Sequence, residues 1–328
     1  MYELSLSSSY FPAQTDAEIR EITVGDLLNE IAANHPDAVA MIDIDDNGDV
    51  CGEWTYSELL SVSETLARSL ATRFSPGERI VVWAPNIPEW IFMEYACGLA
   101  GVVLVTANPS FQPNELRYVL DQSGAVALFM IDEFRGNPMR KVAGAAIDGN
   151  EFIRQVVKLS DETELFAKAD RQTLLPDVSP DDAAQIQYTS GTTGFPKGAV
   201  LSHRNLVNNA RVYCARKQVG RHSVWANFMP LFHTAGCATG ALGCLQAACK
   251  MLLIKRFDAN VVAKIIEEQG VTTCFAVPTM LFGLLESLDE NPRDISSLEV
   301  ISTGGAPVPP DLVRRVRAQL DCHLLSAF

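Results

Sequence analysis

The chain has 328 residues, of which 48% are hydrophobic and 20% are charged, a composition typical of a globular protein with a large buried core. Its formal net charge is -14, because 40 acidic residues outnumber 26 basic ones. This charge excludes a broad electrostatic surface for nucleic acid. It is compatible with a nucleotide held locally by backbone N–H groups and one lysine.

Neither a signal peptide nor a membrane span is predicted. Residues 1–14 have no basic segment followed by an apolar one. The most apolar stretch, residues 90–109, is interrupted by Glu94, Gly98 and Gly101, which indicates a buried helix followed by a buried strand. The eight cysteines form no CxxC pair and no usual zinc spacing, so we expect buried free thiols, no metal-ligand residue and a reducing, cytoplasmic location.

The predicted elements of the first part of the chain begin with a helix that opens at Thr23 and ends before Pro36. A hairpin follows, and then a helix whose capping box joins Thr55 to Glu58. Strands then alternate with helices, and the strands are apolar runs, as expected when helices cover both faces of a sheet. The strands are predicted at 38–44, 50–54, 79–85, 101–107 and 125–131, and the later helices at 88–100 and 113–124.

A polar connection, residues 161–184, precedes a second alternating part. Its predicted strands are 184–190, 198–203, 223–230, 250–255, 272–278, 298–305 and 323–328, and its predicted helices are 205–217, 238–248, 259–270, 279–288 and 309–320. The pattern predicts an α/β fold of two βαβ-type subdomains with largely parallel sheets covered by helices. The approximate halves are 1–160 and 185–328.

Residues 188–198 read YTSGTTGFPKG and combine glycines, hydroxyl side chains and Lys197. A Walker A loop needs lysine directly after its second glycine, and here Lys197 follows Gly194 by three positions. The loop nevertheless has the parts of a phosphate cradle, since glycines let backbone N–H groups turn toward an anion. A solvated hairpin loop is the alternative interpretation.

Three motifs together resemble those of the AMP-forming adenylating enzymes, a group that includes acyl-CoA synthetases, luciferases and peptide-synthetase adenylation domains. The motifs are YTSGTTGFPKGAVLSHRN (188–205), MPLFHTAG (229–236) and STGGAP (302–307), in the family's order. The resemblance is greatest to the medium- and long-chain fatty-acid CoA ligases. It implies that residues 1–328 are the AMP-binding N-terminal domain of such an enzyme.

The resemblance implies a reaction in two halves, in which a carboxylate attacks ATP and a thiol then takes the acyl group from the adenylate. ATP, Mg²⁺, coenzyme A and a small carboxylic acid are the implied cofactors and partners, with no nucleic acid and an unknown oligomeric state. The residues implied to bind ATP phosphates are Thr189, Ser190, Gly191, Thr192, Thr193, Gly194 and Lys197. Those implied to lie against adenine and the start of the acyl pocket are Gly304, Gly305, Ala306, Pro307 and Phe328.

Two histidines have different predicted roles. By resemblance, His233 is the histidine beside the acyl carboxylate and the expected catalytic residue. The segment after it, FHTAGCATG, has no acid to pair with a substrate amine, which favours an uncharged, fatty acyl group over an α-amino acid. His203, at a predicted strand end, is expected to be structural.

The family's next motif and its lysine-bearing C-terminal domain are absent from these 328 residues. We therefore expect an incomplete AMP-binding domain with little catalysis of its own. Two alternatives remain at this point. One is a fatty acyl-AMP ligase that loads a carrier protein, and the other is a non-catalytic nucleotide-binding fragment.

Overall fold

The computed structural model describes residues 18–189 and 196–327 of the chain. These residues form an α/β fold of two mostly parallel sheets with packed helices, as the alternating pattern predicts. The strands are β1 (Val39–Ile44), β2 (Val50–Thr55), β3 (Arg79–Trp83), β4 (Val103–Ala107), β5 (Ala127–Met130), β6 (Gln155–Lys158), β7 (Ala183–Thr189), β8 (Lys197–Ser202), β9 (Val224–Asn227), β10 (Lys250–Ile254), β11 (Thr273–Phe275), β12 (Val300–Gly304) and β13 (His323–Ala327).

The helices pack against these strands and alternate with them along much of the chain. They are α1 (Val24–Asn34), α2 (Tyr56–Arg73), α3 (Pro88–Ala100), α4 (Pro113–Ser123), α5 (Met139–Ile147), α6 (Glu162–Leu165), α7 (His203–Lys217), α8 (Leu242–Ala247), α9 (Ala259–Gln269), α10 (Pro278–Glu290) and α11 (Pro310–Gln319). A π-helical segment, Ala235–Ala241, precedes α8.

Within the described residues, each sheet is parallel apart from one antiparallel strand at its edge. The seven-stranded sheet has the order β13-β12-β11-β9-β10-β1-β2, with β2 antiparallel to β1. The six-stranded sheet has the order β6-β5-β3-β4-β7-β8, with β8 antiparallel to β7. All five residues of β4, in the middle of its sheet, are buried, which explains why its sequence is a continuous apolar run.

The two sheets do not correspond to the two predicted halves of the chain, which the polar connection 161–184 divides. Strands β1 and β2, from the first predicted half, extend the seven-stranded sheet, whereas β7 and β8, from the second, extend the six-stranded one. A hairpin can pair with the edge of either sheet, and its apolar pattern does not predict which sheet it joins. The division into halves at 161–184 thus stays a prediction about domains, while each half contributes strands to both sheets.

Local capping explains several helix boundaries. Thr23 caps α1, and Thr55 and Glu58 form the predicted capping box of α2. Helix α7 begins two residues earlier than predicted, at His203, because Ser202 caps it and exchanges hydrogen bonds with Asn205. His203 is thus a helix residue rather than a strand end, and it is structural: it is buried, and its Nδ1 accepts a hydrogen bond from the Val24 N–H at 3.3 Å. Burial lowers its pKa to about 4.

All eight cysteines lie in the described ranges, and all are free thiols. Seven are buried, as predicted, whereas Cys51 on the edge strand β2 is exposed and departs from that prediction. In residues 18–189 and 196–327, no helix has the length and apolar character needed to cross a membrane.

Candidate functional site

A cavity of about 750 Å³ opens at the carboxyl ends of the parallel strands of the seven-stranded sheet, and we call it the carboxyl-edge cavity. Its walls come from α7, from residues 229–239, from the end of β11 and from Gly305, just after β12. In open α/β sheets, ligands bind outside the carboxyl ends of strands, and pockets of this volume suit small organic ligands. The cavity therefore has both the place and the size of a ligand site.

His233 lines this cavity and keeps part of its ring open to solvent. Its Nδ1 accepts a hydrogen bond from the Ala235 N–H at 3.1 Å, so the neutral imidazole carries its proton on Nε2. Partial burial lowers the pKa of His233, which favours this neutral form. The side chain can thus donate one hydrogen bond from Nε2 to a ligand oxygen.

The backbone that presents His233 differs from the predicted helix over 238–248. A turn brings the His233 N–H to the Pro230 carbonyl at 3.0 Å, and the π-helical segment then starts at Ala235. Single π-helical turns are rare and occur frequently at functional sites. Gly236 is required here, because a Cβ at this position would lie 2.3 Å from the Pro230 carbonyl oxygen.

Two buried asparagines hold this segment in place, and the sequence patterns did not identify either. Asn86 donates to the carbonyls of Met229 at 2.9 Å and Ile254 at 3.1 Å, and accepts from the Leu231 N–H at 2.9 Å. Asn227 donates to the Gly236 carbonyl at 3.0 Å. Each asparagine follows or ends a buried strand, and a polar residue in that position is a sequence feature that could have indicated them.

The phosphate-type loop extends from the carboxyl end of β7, but Ser190, Gly191, Thr192, Thr193 and Gly194 lie outside the described residues. Its two ends are described: Thr189 and Lys197 are paired across β7 and β8, and both are exposed. Just before Lys197, the Pro196 carbonyl accepts a hydrogen bond from the Tyr118 hydroxyl at 2.8 Å. The two predicted strands that flank the loop are therefore paired, which both interpretations of the loop allow, and its function stays a prediction.

The third motif contributes the other side of the cavity mouth. Gly304 ends β12 and is buried, while Gly305, Ala306 and Pro307 are exposed. Gly305 has a φ of +77°, a conformation that favours glycine, and it lines the same cavity as His233. Phe328 lies outside the described residues. The structure thus brings His233 and Gly305 together, whereas Thr189 and Lys197 lie at the base of the neighbouring loop.

A buried polar network connects β7 with the histidine segment. The Gln185 amide donates to Glu94 at 2.5 Å, the Gln187 amide donates to Gln185 at 3.0 Å, and the Cys237 thiol lies 3.2 Å from the Gln187 nitrogen. Burial raises the pKa of Glu94 to about 8, so this carboxyl is protonated at neutral pH. The network ties the strand that leads into the phosphate-type loop to the π-helical segment.

A second cavity, of about 710 Å³, lies at the six-stranded sheet, on the side where β3 and β4 begin. We call it the amino-edge cavity. It is lined by Arg79 and Val103, the first residues of β3 and β4, and by Gly124, which precedes β5. Ile186 and Tyr188 of β7 also face it, whereas Gln185 and Gln187 belong to the buried network. Alternation along β7 therefore separates the two regions.

Comparisons with known proteins agree with this geometry. The sequence profile of a family described as "AMP-binding enzyme" matches residues 28–328. The chain is 30% identical to YngI of Bacillus subtilis (strain 168) over 92% of the chain and 59% of that protein. It is 28% identical to the human mitochondrial medium-chain acyl-CoA ligase ACSF2 over 94% of the chain and 55% of that protein. The chain thus spans just over half the length of these curated relatives.

Solved structures give the same fold. A long-chain-fatty-acid-CoA ligase, FadD1 from Archaeoglobus fulgidus, matches with a TM-score of 0.84 at 24% identity, over 94% of this chain and 63% of that one. The N-terminal domain of FACL13 from Mycobacterium tuberculosis matches with a TM-score of 0.82 at 23% identity, over 93% of this chain and 75% of that one. The predicted fold class is confirmed.

Proposed function

Because the chain belongs to the AMP-binding enzyme family, we propose that the protein carrying it activates a carboxylic acid as an acyl adenylate and transfers the acyl group to coenzyme A. The observation that supports this proposal most is the carboxyl-edge cavity, which both His233 and Gly305 line. Among the described residues that line it, none is an acid. An uncharged acyl chain fits such a lining better than an α-amino acid, whose ammonium group needs a carboxylate partner.

In the first half of the reaction, a carboxylate oxygen attacks the α-phosphorus of ATP, and the bond from that phosphorus to pyrophosphate breaks. The attack brings an anion to a polyanion, so donors that offset negative charge lower the barrier. We assign this role to the loop from Thr189 to Lys197, which follows the carboxyl end of β7 and ends in an exposed ammonium group. In the second half, a thiol sulfur bonds to the acyl carbon and AMP leaves.

His233 is proposed to orient the acyl carboxylate. Its Nδ1 is occupied by the Ala235 N–H, so Nε2–H is the group available to a carboxylate oxygen. Holding that oxygen in one direction promotes its attack, because positioning supplies much of the rate gain in such reactions. The π-helical turn and its asparagine contacts keep the imidazole at the cavity wall.

Mg²⁺ neutralises phosphate charge when it is bound in such a reaction. Across residues 18–189 and 196–327, no group of three His, Cys, Asp or Glu side chains is arranged to hold a metal ion.

The proposed substrate is an acid of medium or greater chain length, by analogy with the medium-chain acyl-CoA ligase ACSF2. Pyrophosphate exchange by the intact protein, measured over a panel of fatty acids and α-amino acids, tests this assignment. We expect exchange with fatty acids, and exchange with amino acids alone would contradict it. His233→Ala should lower exchange about tenfold, whereas His222→Ala, at an exposed histidine, should not change it.

Two other functions are distinguished by the same assay. Consumption of coenzyme A identifies a CoA ligase, whereas transfer only to a carrier protein's pantetheine arm identifies an acyl-AMP ligase. Nucleotide binding without any exchange identifies a non-catalytic binding domain. The acid-free cavity beside His233 favours the CoA ligase or the acyl-AMP ligase over the binding domain, because a nucleotide site alone needs no acyl cavity.

A further inference from the structure

The walls of the carboxyl-edge cavity are largely apolar, and its polar lining residues include Tyr213 as well as His233. Tyr213 of α7 lines the cavity, and its hydroxyl forms a hydrogen bond with the Ser302 hydroxyl of β12. Ser302 lies two residues before Gly304, the last residue of β12, so it lies about 7 Å below the carboxyl edge of the sheet at the rise of a β-strand. Its partner, the Tyr213 hydroxyl, is thus held below that edge, whereas Gly305 lines the cavity just beyond it.

A buried cation lies beneath Tyr213. Lys217 follows Tyr213 by one helical turn and is 2% exposed. Its ammonium group donates to the Cys274 carbonyl at 2.7 Å and lies 4.0 Å from the centre of the Trp225 ring. The same nitrogen is 5.8 Å from the centre of the Tyr213 ring, so Tyr213 separates the cavity from this charge.

Either hydroxyl can be the donor in the Tyr213–Ser302 hydrogen bond, and we assign its direction from the second acceptor within reach of Ser302. The Ser302 hydroxyl is 3.5 Å from the Cys274 carbonyl and can donate to it. If Ser302 donates there, its oxygen accepts the hydrogen bond from the Tyr213 hydroxyl. The Tyr213 oxygen then keeps a lone pair for the cavity and has no proton left to give.

We propose that Tyr213 is a specificity-determining residue that accepts a hydrogen bond from a hydroxyl group on the tail of the acyl substrate. The substrate class is therefore a hydroxylated fatty acid rather than a plain one, an inference that rests on the proposed acyl-activating function. An ammonium group is a poor occupant, because Lys217 places positive charge behind the tyrosine ring. A keto group is also a poor occupant, since it brings an acceptor to an acceptor.

The test uses non-hydrolysable acyl-sulfamoyl adenosines, whose binding requires no catalysis. Their medium-length acyl groups are plain, or carry a hydroxyl or a keto group at successive carbons toward the tail. Isothermal titration of each compound into the protein should give a position at which the hydroxyl compound binds about tenfold more tightly than the plain one. The keto compound should show no such gain.

Variants that change single hydroxyl groups locate the effect. Tyr213→Phe should remove most of the preference for the hydroxyl compound and leave binding of the plain compound nearly unchanged. Tyr188→Phe is the matched control, since Tyr188 faces the amino-edge cavity, and it should keep the preference. Ser302→Ala frees the Tyr213 proton, so the keto compound should gain affinity. This variant also tests the proposal if Tyr213→Phe is unstable.

The outcomes separate the two proposals. Equal binding of plain and hydroxyl compounds at every position, or a preference that survives in Tyr213→Phe, would overturn the role of Tyr213 and leave the acyl-adenylate function intact. Failure of every compound to bind would overturn the proposed function, and the role of Tyr213 with it.

Discussion

The two cavities of this protein have similar volumes, about 750 Å³ and 710 Å³, but they lie at opposite ends of parallel strands. The carboxyl-edge cavity is bounded by residues that follow β9, end β11 and follow β12. The amino-edge cavity is bounded by the first residues of β3, β4 and β7, and also by Ile186 and Tyr188 further along β7. Volume alone therefore does not distinguish a ligand site from a surface depression.

The side chains that line the two cavities distinguish them. The amino-edge cavity is lined by turn residues, by three acids, Asp121, Asp177 and Asp182, and by one cation, Arg79, so its acids outnumber its cation and oppose a carboxylate or a phosphate. The carboxyl-edge cavity is lined mostly by apolar side chains and by uncharged polar ones, which are His233, Tyr213, Asn205, Asn209, Thr234 and Thr239. A few polar groups in an apolar cavity at the carboxyl edge are what an anionic acyl ligand needs.

The largest effect is expected from Gly236, in the π-helical segment that follows His233. Gly236→Ala places a Cβ 2.3 Å from the Pro230 oxygen and 2.5 Å from the Met229 oxygen, so backbone must move. We expect a loss of about 3 kcal/mol in the free energy of unfolding, measured by urea denaturation. Gly144→Ala in α5 is the control, because a Cβ there meets nothing within 4 Å, and it should stabilise the protein by about 0.5–1 kcal/mol. Equal effects of the two changes would contradict the packing described.

A pH-dependent effect is expected at Glu94, in the network between the two cavities. The pKa of Glu94 is about 8 in the folded protein against an ordinary value of 4.5, so the folded state holds this proton more tightly than the unfolded state. The contribution of Glu94 to stability is therefore largest at low pH and falls as pH rises from 4.5 toward about 8, by up to about 1.4 kcal/mol per pH unit.

Glu94→Gln should remove this slope, because the amide does not ionise. The nearby titratable groups, Tyr95, Cys97 and Cys237, stay neutral over this range because burial raises the pKa of each. The difference in unfolding free energy between the variant and the parent protein should therefore grow in favour of the variant with increasing pH. A difference that is constant with pH would mean that Glu94 is ionised in the folded protein.

The smallest effect is expected at the amino-edge cavity. Tyr188→Phe removes a hydrogen bond from the Tyr188 hydroxyl to the Gln122 side chain, 2.5 Å long and in an exposed position. Its cost to stability should be about 1 kcal/mol or less in thermal unfolding. Affinity for acyl-sulfamoyl adenosines should not change. A clear loss of that affinity would mean that the amino-edge cavity takes part in binding.

The sequence was sufficient to predict the fold class and most elements, because apolar strand runs and helix caps such as Thr23 and Thr55 are local signals. The sequence was insufficient to predict which sheet each hairpin joins, because the pairing of an edge strand depends on the fold of the whole chain. The predicted helix over 238–248 missed the π-helical turn, since that turn depends on contacts from Asn227 and on the space around Gly236.

The site residues also divide into those that the motifs predicted and those that no local pattern predicted. His233 and Gly305 were found by motif, and the structure places both at one cavity. Asn86, Glu94 and Tyr213 were not found, because their hydrogen-bond partners are 89 to 168 residues away in sequence and no spacing rule connects them. For example, Asn86 contacts the Ile254 carbonyl across 168 positions of sequence. Such residues become visible only when the fold has brought the distant segments together.

Hydrogen–deuterium exchange of the protein with and without an acyl-sulfamoyl adenosine tests the central claim most directly, because it locates the acyl ligand without requiring catalysis. The account predicts protection of α7 and of residues 229–241, around the carboxyl-edge cavity. Protection confined to the starts of β3 and β4 and to the turn at Gly124, around the amino-edge cavity, would contradict it.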